Sequence, residues 1–284
     1  MDLCDINVLK MLLAKHGFSF SKGLGQNFLC CAHVPVSIAE NAGIDEETGV
    51  LEVGPGIGTL TKELCARAKK VVAVELDKRL PPLLEDTLGQ YKNFELVMGD
   101  ILKTDIKVLV KEHFEGCTSV VACANLPYYI TTPALSALID SKVFDRITVM
   151  VQKEVALRMC AEAGSGDYGA FTPYIAFNTD ARILFDVGRE CFVPSPKVDS
   201  AVVSMEVLKT PPVSVSDEKL MFSVIKAAFG QRRKTLLNCL SSLGMPKDEV
   251  RDILNSCGIS PSIRGERLDI SDFAAISDAI HERR

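Results

Sequence analysis

Apolar positions over the first two-thirds of the chain fall into two alternating rhythms. Short, nearly continuous runs rich in valine, "GVLEVG" (49–54), "KVVAVE" (70–75), "FELVMG" (94–99), "SVVACAN" (119–125) and "RITVMVQ" (146–152), are bounded by Gly, Lys or Asp. Runs of this length and composition predict strands. Their lack of polar alternation predicts strands covered on both faces, as in a parallel sheet. Stretches with helical spacing lie between them, such as "TLTKELCARA" (59–68). Alternation of this kind predicts a doubly wound α/β sheet. "ARILFDV" (181–187) and "DSAVVSMEVL" (199–208) are two further candidate strands.

The rhythm changes at "KTPPVSVSDE" (209–218), whose Pro and Ser residues predict a linker. The remainder is helical in pattern: "KLMFSVIKAAFGQRRKTLLNCLSSL", then "KDEVRDILNSC", then "ISDFAAISDAIHERR", punctuated by Gly244, Gly258 and Pro261. The expected organisation is an α/β domain over 1–209 and a small all-helical domain over 210–284. No apolar run reaches membrane-spanning length. Asp2 and Asp5 precede the first apolar positions and Arg67 is the first arginine. The N-terminal stretch therefore resembles neither a secretory signal nor an Arg-rich transit peptide.

Composition adds few constraints. The chain has 284 residues, 47% of them hydrophobic, enough for a full core and a second small domain. Its ten cysteines form no C-x-x-C pair, and Cys30 and Cys31 are adjacent, which predicts reduced thiols in a cytoplasmic protein. His16, His33, His113 and His281 are scattered, so neither a metal site nor a catalytic histidine is expected. The net charge is −5 and the isoelectric point about 5.5, which on whole-chain grounds argues against a nucleic-acid partner. The charge is uneven. Residues 210–284 carry 11 Lys and Arg against 10 Asp and Glu, whereas the preceding 209 residues carry 21 against 27. Phosphate contacts must then come from local clusters. "GQRRKTLLN" (230–238) supplies Arg232, Arg233 and Lys234 on or near a helix start, as candidate RNA contacts or as a solvated face. Lys22, Lys197, Arg264 and Arg267 are weaker candidates.

"LEVGPGIGTLT" places Gly54, Gly56 and Gly58 directly after a strand and before a helix. The spacing is G-x-G-x-G, not the G-x-G-x-x-G that seats a dinucleotide pyrophosphate. Glu52 beside the loop suits a ligand with a cationic amino-acid moiety better than one with phosphates. Glu75 ends the next strand, 21 residues after Gly54, where an acid can accept both ribose hydroxyls. Asp100 follows the third strand and can accept from an adenine amine, with Ile101 against the ring. Acids at strand ends also cap helices, and a glycine turn can be a turn alone. Taken together, the three loops line one crevice at the carboxyl edge of the sheet and indicate an adenosine-type ligand. The glycine loop favours S-adenosylmethionine.

"GQNFL" (25–29), "EVGPGIGTLT" (52–61), "VELDKRL" (74–80), "GDIL" (99–102), "NLPYYITTP" (125–133), "QKEVALRM" (152–159), "FVPSPKVDSAVV" (192–203), "FGQRRKTLLNCL" (229–240) and the C-terminal "RGERLDISDFAAI" occur in order. On these motifs the chain resembles the small-subunit ribosomal RNA adenine dimethyltransferases over nearly its whole length. The resemblance implies a Rossmann-like methyltransferase domain with a helical C-terminal RNA-recognition domain. It implies methyl transfer from S-adenosylmethionine, with no metal. The implied substrate is a pair of adjacent adenosines in the 3′-terminal hairpin of the small-subunit RNA, each dimethylated during ribosome maturation. It implies a monomer acting on a pre-ribosomal particle, with no membrane. It places the donor against Asn27, Leu29, Gly54, Glu75, Asp100 and Asn125, with Gln26 from the same N-terminal motif; Gly56 and Ile101 complete the set. Competing readings are a large-subunit methyltransferase of the resistance type, a ribosome-assembly or transcription factor of this fold, and a small-molecule methyltransferase.

The chemistry of such a site explains "NLPYY". An adenine amine is a poor nucleophile because its lone pair is delocalised, so the site must position it, which is worth roughly 7–11 kcal/mol of the barrier at best. The Asn125 side-chain oxygen and the Leu126 carbonyl, in a turn fixed by Pro127, are the candidate acceptors for the amine hydrogens. Tyr128 offers a stacking face to a base taken out of its helix, worth roughly 1–3 kcal/mol. Phe192 is expected to close the other side of that base, and Tyr129 to lie in the core.

Overall fold

The structure, a computed structural model, describes residues 1–231 and 233–283, with Lys22 described by its backbone alone. Among the described residues there are nine strands: β1 (Phe28–Leu29), β2 (Thr48–Val53), β3 (Lys70–Glu75), β4 (Phe94–Met98), β5 (Ser119–Asn125), β6 (Arg146–Gln152), β7 (Thr179–Val187), β8 (Phe192–Val193) and β9 (Ser200–Val207). Seven of them form one sheet in the order β4-β3-β2-β5-β6-β9-β7. The first five in that order are mutually parallel, joined by helical crossovers. Every residue of β2 is buried, as a strand covered on both faces requires. The sheet is mixed, because β9 runs antiparallel to β6. The connection 188–199 from β7 into β9 contains no α-helix, and a parallel neighbour would need a crossover of a dozen or more residues, usually helical. A separate two-stranded ladder pairs Phe28 with Val193 and Leu29 with Phe192.

The chain divides into two compact units. The first comprises 1–156 and 182–207; the second comprises 157–181 and everything from 208 onward. The sequence boundary at 209/210 left 157–181 with the first domain. Phe177, 1% exposed, packs into the helical core among Met221, Val224, Leu240 and Phe273. Tyr168 donates its hydroxyl to the Leu268 carbonyl at 2.8 Å, and the Gly164 N–H reaches the Glu266 carbonyl at 2.7 Å. From residue 208 onward the α-helices of this unit, among the described residues, are Glu218–Gly230, Leu236–Leu240, Lys247–Ser256 and Ile270–His281, and Phe171–Asn178 joins them from the earlier segment. Asp217 caps Glu218–Gly230 and Asp269 caps Ile270–His281, the latter through a capping box with Asp272. The helical pattern over 219–243 is interrupted: one helix ends at Gly230 and the next begins at Leu236, with Arg233 and Lys234 between them.

Candidate active site

Four loops leave the carboxyl ends of β2, β3, β4 and β5, and together with the segment 24–29 they enclose a cavity of about 250 Å³. Gly54, Gly56, Glu75, Asp100, Ile101, Gln26, Asn27, Leu29, Asn125, Leu126 and Tyr128 all line it. Parallel strands deliver all of these but Gln26, Asn27 and Leu29 to one edge because each strand enters the sheet in the same direction. Gly54 has φ +70°, a region that L side chains rarely adopt, and an added Cβ there would meet no atom within 4 Å. The backbone at Gly54 is therefore bare toward the cavity.

The N-terminal segment is fastened to the rim through Asp77. Arg79 grips its carboxylate with Nε at 2.9 Å and Nη2 at 2.6 Å, and Gln26 Nε2 donates to it at 2.7 Å. Arg79 also donates to the Ser19 carbonyl at 3.0 Å and lies over the Phe18 ring at 4.7 Å. Its guanidinium holds the Asp77 carboxyl down to about 2. The Gln26 oxygen accepts the Ser21 N–H at 2.9 Å, so both ends of this amide are committed to fixing the loop.

Glu75 is 7% exposed and its Oε1 accepts the Asp77 N–H at 2.6 Å. Burial raises its pKa, against the backbone N–H groups that favour the charged form. Asp100 Oδ1 accepts the Leu102 N–H at 3.0 Å, and Lys103 stands 3.9 Å from Oδ2. Ile101 is 4% exposed. Glu52 also lines the cavity; its side chain is 1% exposed, and Oε2 has no hydrogen-bond partner among the described residues.

On the last loop, Asn125 Nδ2 donates to the Asn27 carbonyl at 3.3 Å. A carbonyl only accepts, so this contact fixes which way the amide faces and leaves Oδ1 as the side chain's acceptor. The Leu126 N–H reaches the Met150 carbonyl at 3.2 Å, anchoring the turn to β6. Tyr128 is half-buried, with its hydroxyl 2.8 Å from Ser200 Oγ on β9.

Two aromatic expectations are overturned. Phe192 does not reach the cavity: it is 3% exposed and packs in the core cluster with Leu29, its partner across the β1–β8 ladder. Tyr129, expected in the core, is 55% exposed and lines the cavity mouth beside Leu76 and Leu102. Arg233 and Lys234 are exposed and pair with no carboxylate among the described residues; Arg232 lies outside the described residues. The sequence reading left Asp77 and Arg79 without a role, although both fall within the quoted "VELDKRL". It also missed Ser200. Nothing in local spacing couples Ser200 to Tyr128, 72 residues away.

A mixed sheet whose parallel strands carry a glycine loop after the first, acids after the second and third, and an amide and an aromatic after the fourth defines a Rossmann-like methyltransferase. Residues 17–282 match the family described as ribosomal RNA adenine dimethylase. The chain is 45% identical over 285 residues to ribosomal RNA small subunit methyltransferase A of Geobacillus thermodenitrificans, covering 98% of this chain and 97% of that one. It is 46% identical to the protein of the same name from Bacillus cereus strain B4264, covering 98% and 97%. Among solved structures, a dimethyladenosine transferase from Plasmodium falciparum superposes with a TM-score of 0.73 at 26% identity, over 88% of this chain and 95% of that one. The 23S rRNA methyltransferase ErmE superposes with a TM-score of 0.68 at 25% identity, over 90% and 100%. The chain belongs to the ribosomal RNA adenine dimethylase family: it is an S-adenosylmethionine-dependent enzyme that methylates adenine in ribosomal RNA.

Proposed function

We propose that this enzyme dimethylates the exocyclic amines of two adjacent adenosines in the 3′-terminal hairpin of small-subunit ribosomal RNA. It does so as a monomer in the cytoplasm, on RNA already held in a pre-ribosomal particle, and without a metal. The small-subunit names of relatives about 45% identical over nearly the whole chain support this RNA over that of the large subunit. The fixed Asn125 amide carries the chemical part of the reading. Its nitrogen is held by Asn27, and its oxygen is left as an acceptor on the wall of the same cavity as Tyr128.

The residues present fit S-adenosylmethionine. A bare glycine backbone, a buried isoleucine beside an acid, a second acid on the neighbouring strand and an orphaned buried carboxyl oxygen match an adenosine at one end and an amino acid at the other. When bound, the donor supplies a methyl group already activated on a sulfonium. Glu75 accepts the ribose hydroxyls with the capacity left beyond the Asp77 N–H, since a carboxylate has about four acceptor positions. Asp100 accepts from the adenine amine, and Ile101 packs on its ring. Asn27, Leu29, Gly54 and Gly56 form the wall, and Gln26 acts by holding the loop that carries them. Asn125 Oδ1 and the Leu126 carbonyl hold the hydrogens of the target amine, which leaves its lone pair directed away from them. Both acceptors also favour the cationic amine that forms as the new bond is made. Tyr128 stacks on the base. Arg232, Arg233 and Lys234 contact phosphates from the C-terminal unit, the RNA-recognition part of the chain.

The test is transfer of labelled methyl to immature small subunits, with large subunits assayed in parallel and the modified nucleoside identified. Dimethyladenosine confined to small-subunit RNA is expected. Label in large-subunit RNA, or in another nucleoside, would overturn the reading.

A further inference from the structure

Three acidic side chains are buried at the cavity or its rim, and two have partners. Asp77 meets Arg79 and Gln26, and Glu75 receives the Asp77 N–H. Glu52 differs. It lies on β2 two residues before Gly54, it is 1% exposed, and its Oε2 is without a hydrogen bond among the described residues. Its neighbours bring no countercharge. From β3 the facing charge is that of Glu75, which repels. Cys123 stands directly across on β5, and the helix Thr59–Cys65 contributes Cys65 and the Thr61 hydroxyl, which faces Glu52 without hydrogen-bond geometry. Among the described residues no Lys, Arg or His lines the cavity. Burial above all raises the Glu52 pKa to about 8; Thr61 opposes that shift and the charge of Glu75 adds to it.

A carboxylate desolvated with no partner is costly, whereas a neutral carboxyl in the same place is not. We propose that Glu52 is a donor-site residue that keeps a proton in the ligand-free enzyme and releases it to solvent when a ligand bearing an ammonium group enters, so that donor binding and proton release are one coupled event. The inference rests on the reading of the cavity as the methyl-donor site. The Oε2–H bond breaks, the proton passes to buffer, and the carboxylate that remains faces the incoming cation; no electrons are transferred. The same carboxyl rejects nucleotides whose 5′ end is phosphate. It thus does by charge what the G-x-G-x-G spacing does by shape. At pH 7 a group with a pKa of 8 is about nine-tenths protonated, so nearly a full proton is available for release.

Calorimetric titration of the full chain at pH 7, in buffers of different ionisation enthalpy, reads the proton directly. S-adenosylhomocysteine carries the amino-acid ammonium without the sulfonium. Its binding is expected to release roughly 0.5–0.9 proton, and its affinity to rise with pH between 6 and 8, by up to about tenfold per unit. 5′-Methylthioadenosine has the same adenosine and sulfur but no amino acid, and should bind with no proton release. Glu52→Gln should bind methylthioadenosine as the wild type does, and S-adenosylhomocysteine more weakly, without release and with a flat pH profile. Binding of S-adenosylhomocysteine to the wild type with no release, or equal release from methylthioadenosine or from Glu52→Gln, overturns the proposal and leaves the donor site standing. If neither nucleoside binds, the donor-site reading falls and this proposal with it.

Discussion

Asn125 has two polar atoms on its side chain, and the fold has used one. Because Nδ2 is committed to Asn27, removing the amide costs the reaction its acceptor and costs the loop one weak contact. Asn125→Ala should therefore lower the single-turnover methylation rate about 10²–10³-fold, the range for one preorganised polar group, while RNA affinity is kept. An unchanged rate would remove Asn125 from the chemistry. Tyr128 is less simple than its ring suggests. Its hydroxyl is bonded to Ser200, which is 0% exposed, so Tyr128→Phe frees the ring and strands a buried hydroxyl. That variant should retain stacking and fall between wild type and Tyr128→Ala in rate. Glu52 makes a prediction about stability as well as binding. Its folded pKa of about 8 lies above the unfolded value. Its contribution is thus fully present below the unfolded pKa and is lost as pH rises through 8. Glu52→Gln should raise the melting temperature of the ligand-free protein at pH 8 and give no gain at pH 4; equal shifts at both would mean the carboxyl is not buried neutral. At this scale Asn125, Glu75, Asp100 and Gly54 were legible in the sequence, because chain order ties each to a strand end. Phe192 was misplaced because it faces inward from a two-residue ladder, and Tyr129 because it sits in the single turn Tyr128–Ile130; no periodicity can be read from segments so short. The burial of Glu52 follows from a sheet covered on both faces, but its lack of a partner follows from what other loops fail to bring.

The segment 24–29 illustrates what elements add. Its residues form one wall of the cavity, yet it holds a two-residue strand and little regular structure of its own. It is held by the Asp77 clasp and by the packing of Phe18 and Phe20 on Phe28, with ring centroids 5.9 and 5.3 Å apart. Asp77→Ala should loosen it and weaken donor binding, although Asp77 is given no contact with the donor. Full affinity in that variant would show that the segment is held by its aromatic residues alone. The pH dependence of the clasp is opposite in sign to that of Glu52. The folded pKa of Asp77, about 2, lies below the unfolded value, so its contribution is present above the unfolded pKa and is lost as pH falls through about 2. At this scale the seven long strands were readable within about two residues, because continuous valine-rich runs have few alternatives. The antiparallel placement of β9 was not, because strand direction is set by how the preceding connection returns to the sheet. Nor was the membership of 157–181 in the helical unit, which rests on contacts such as Tyr168 to Leu268, one hundred residues apart in sequence.

The whole molecule carries a net charge of −5, yet its substrate is a polyanion. Attraction must therefore be local, and one local source is the break between the helices Glu218–Gly230 and Leu236–Leu240, where Arg233 and Lys234 are exposed and free of ion pairs among the described residues. A cation already paired to a carboxylate displaces few counterions when it meets a phosphate, whereas an unpaired one displaces its full share. Each phosphate neutralised contributes about −0.7 to −0.9 to the slope of log affinity against log salt. The Arg232, Arg233 and Lys234 triple alanine variant should thus bind donor normally, bind small-subunit RNA more weakly at low salt, and show a slope shallower by roughly 2. Because the loss is electrostatic, the affinities of variant and wild type should converge as salt rises. That separates phosphate contact from a folding defect, which would weaken donor binding as well and persist at high salt. An unaltered slope with normal donor binding would show that the cluster is a solvated turn, and that the enzyme finds its RNA with other residues.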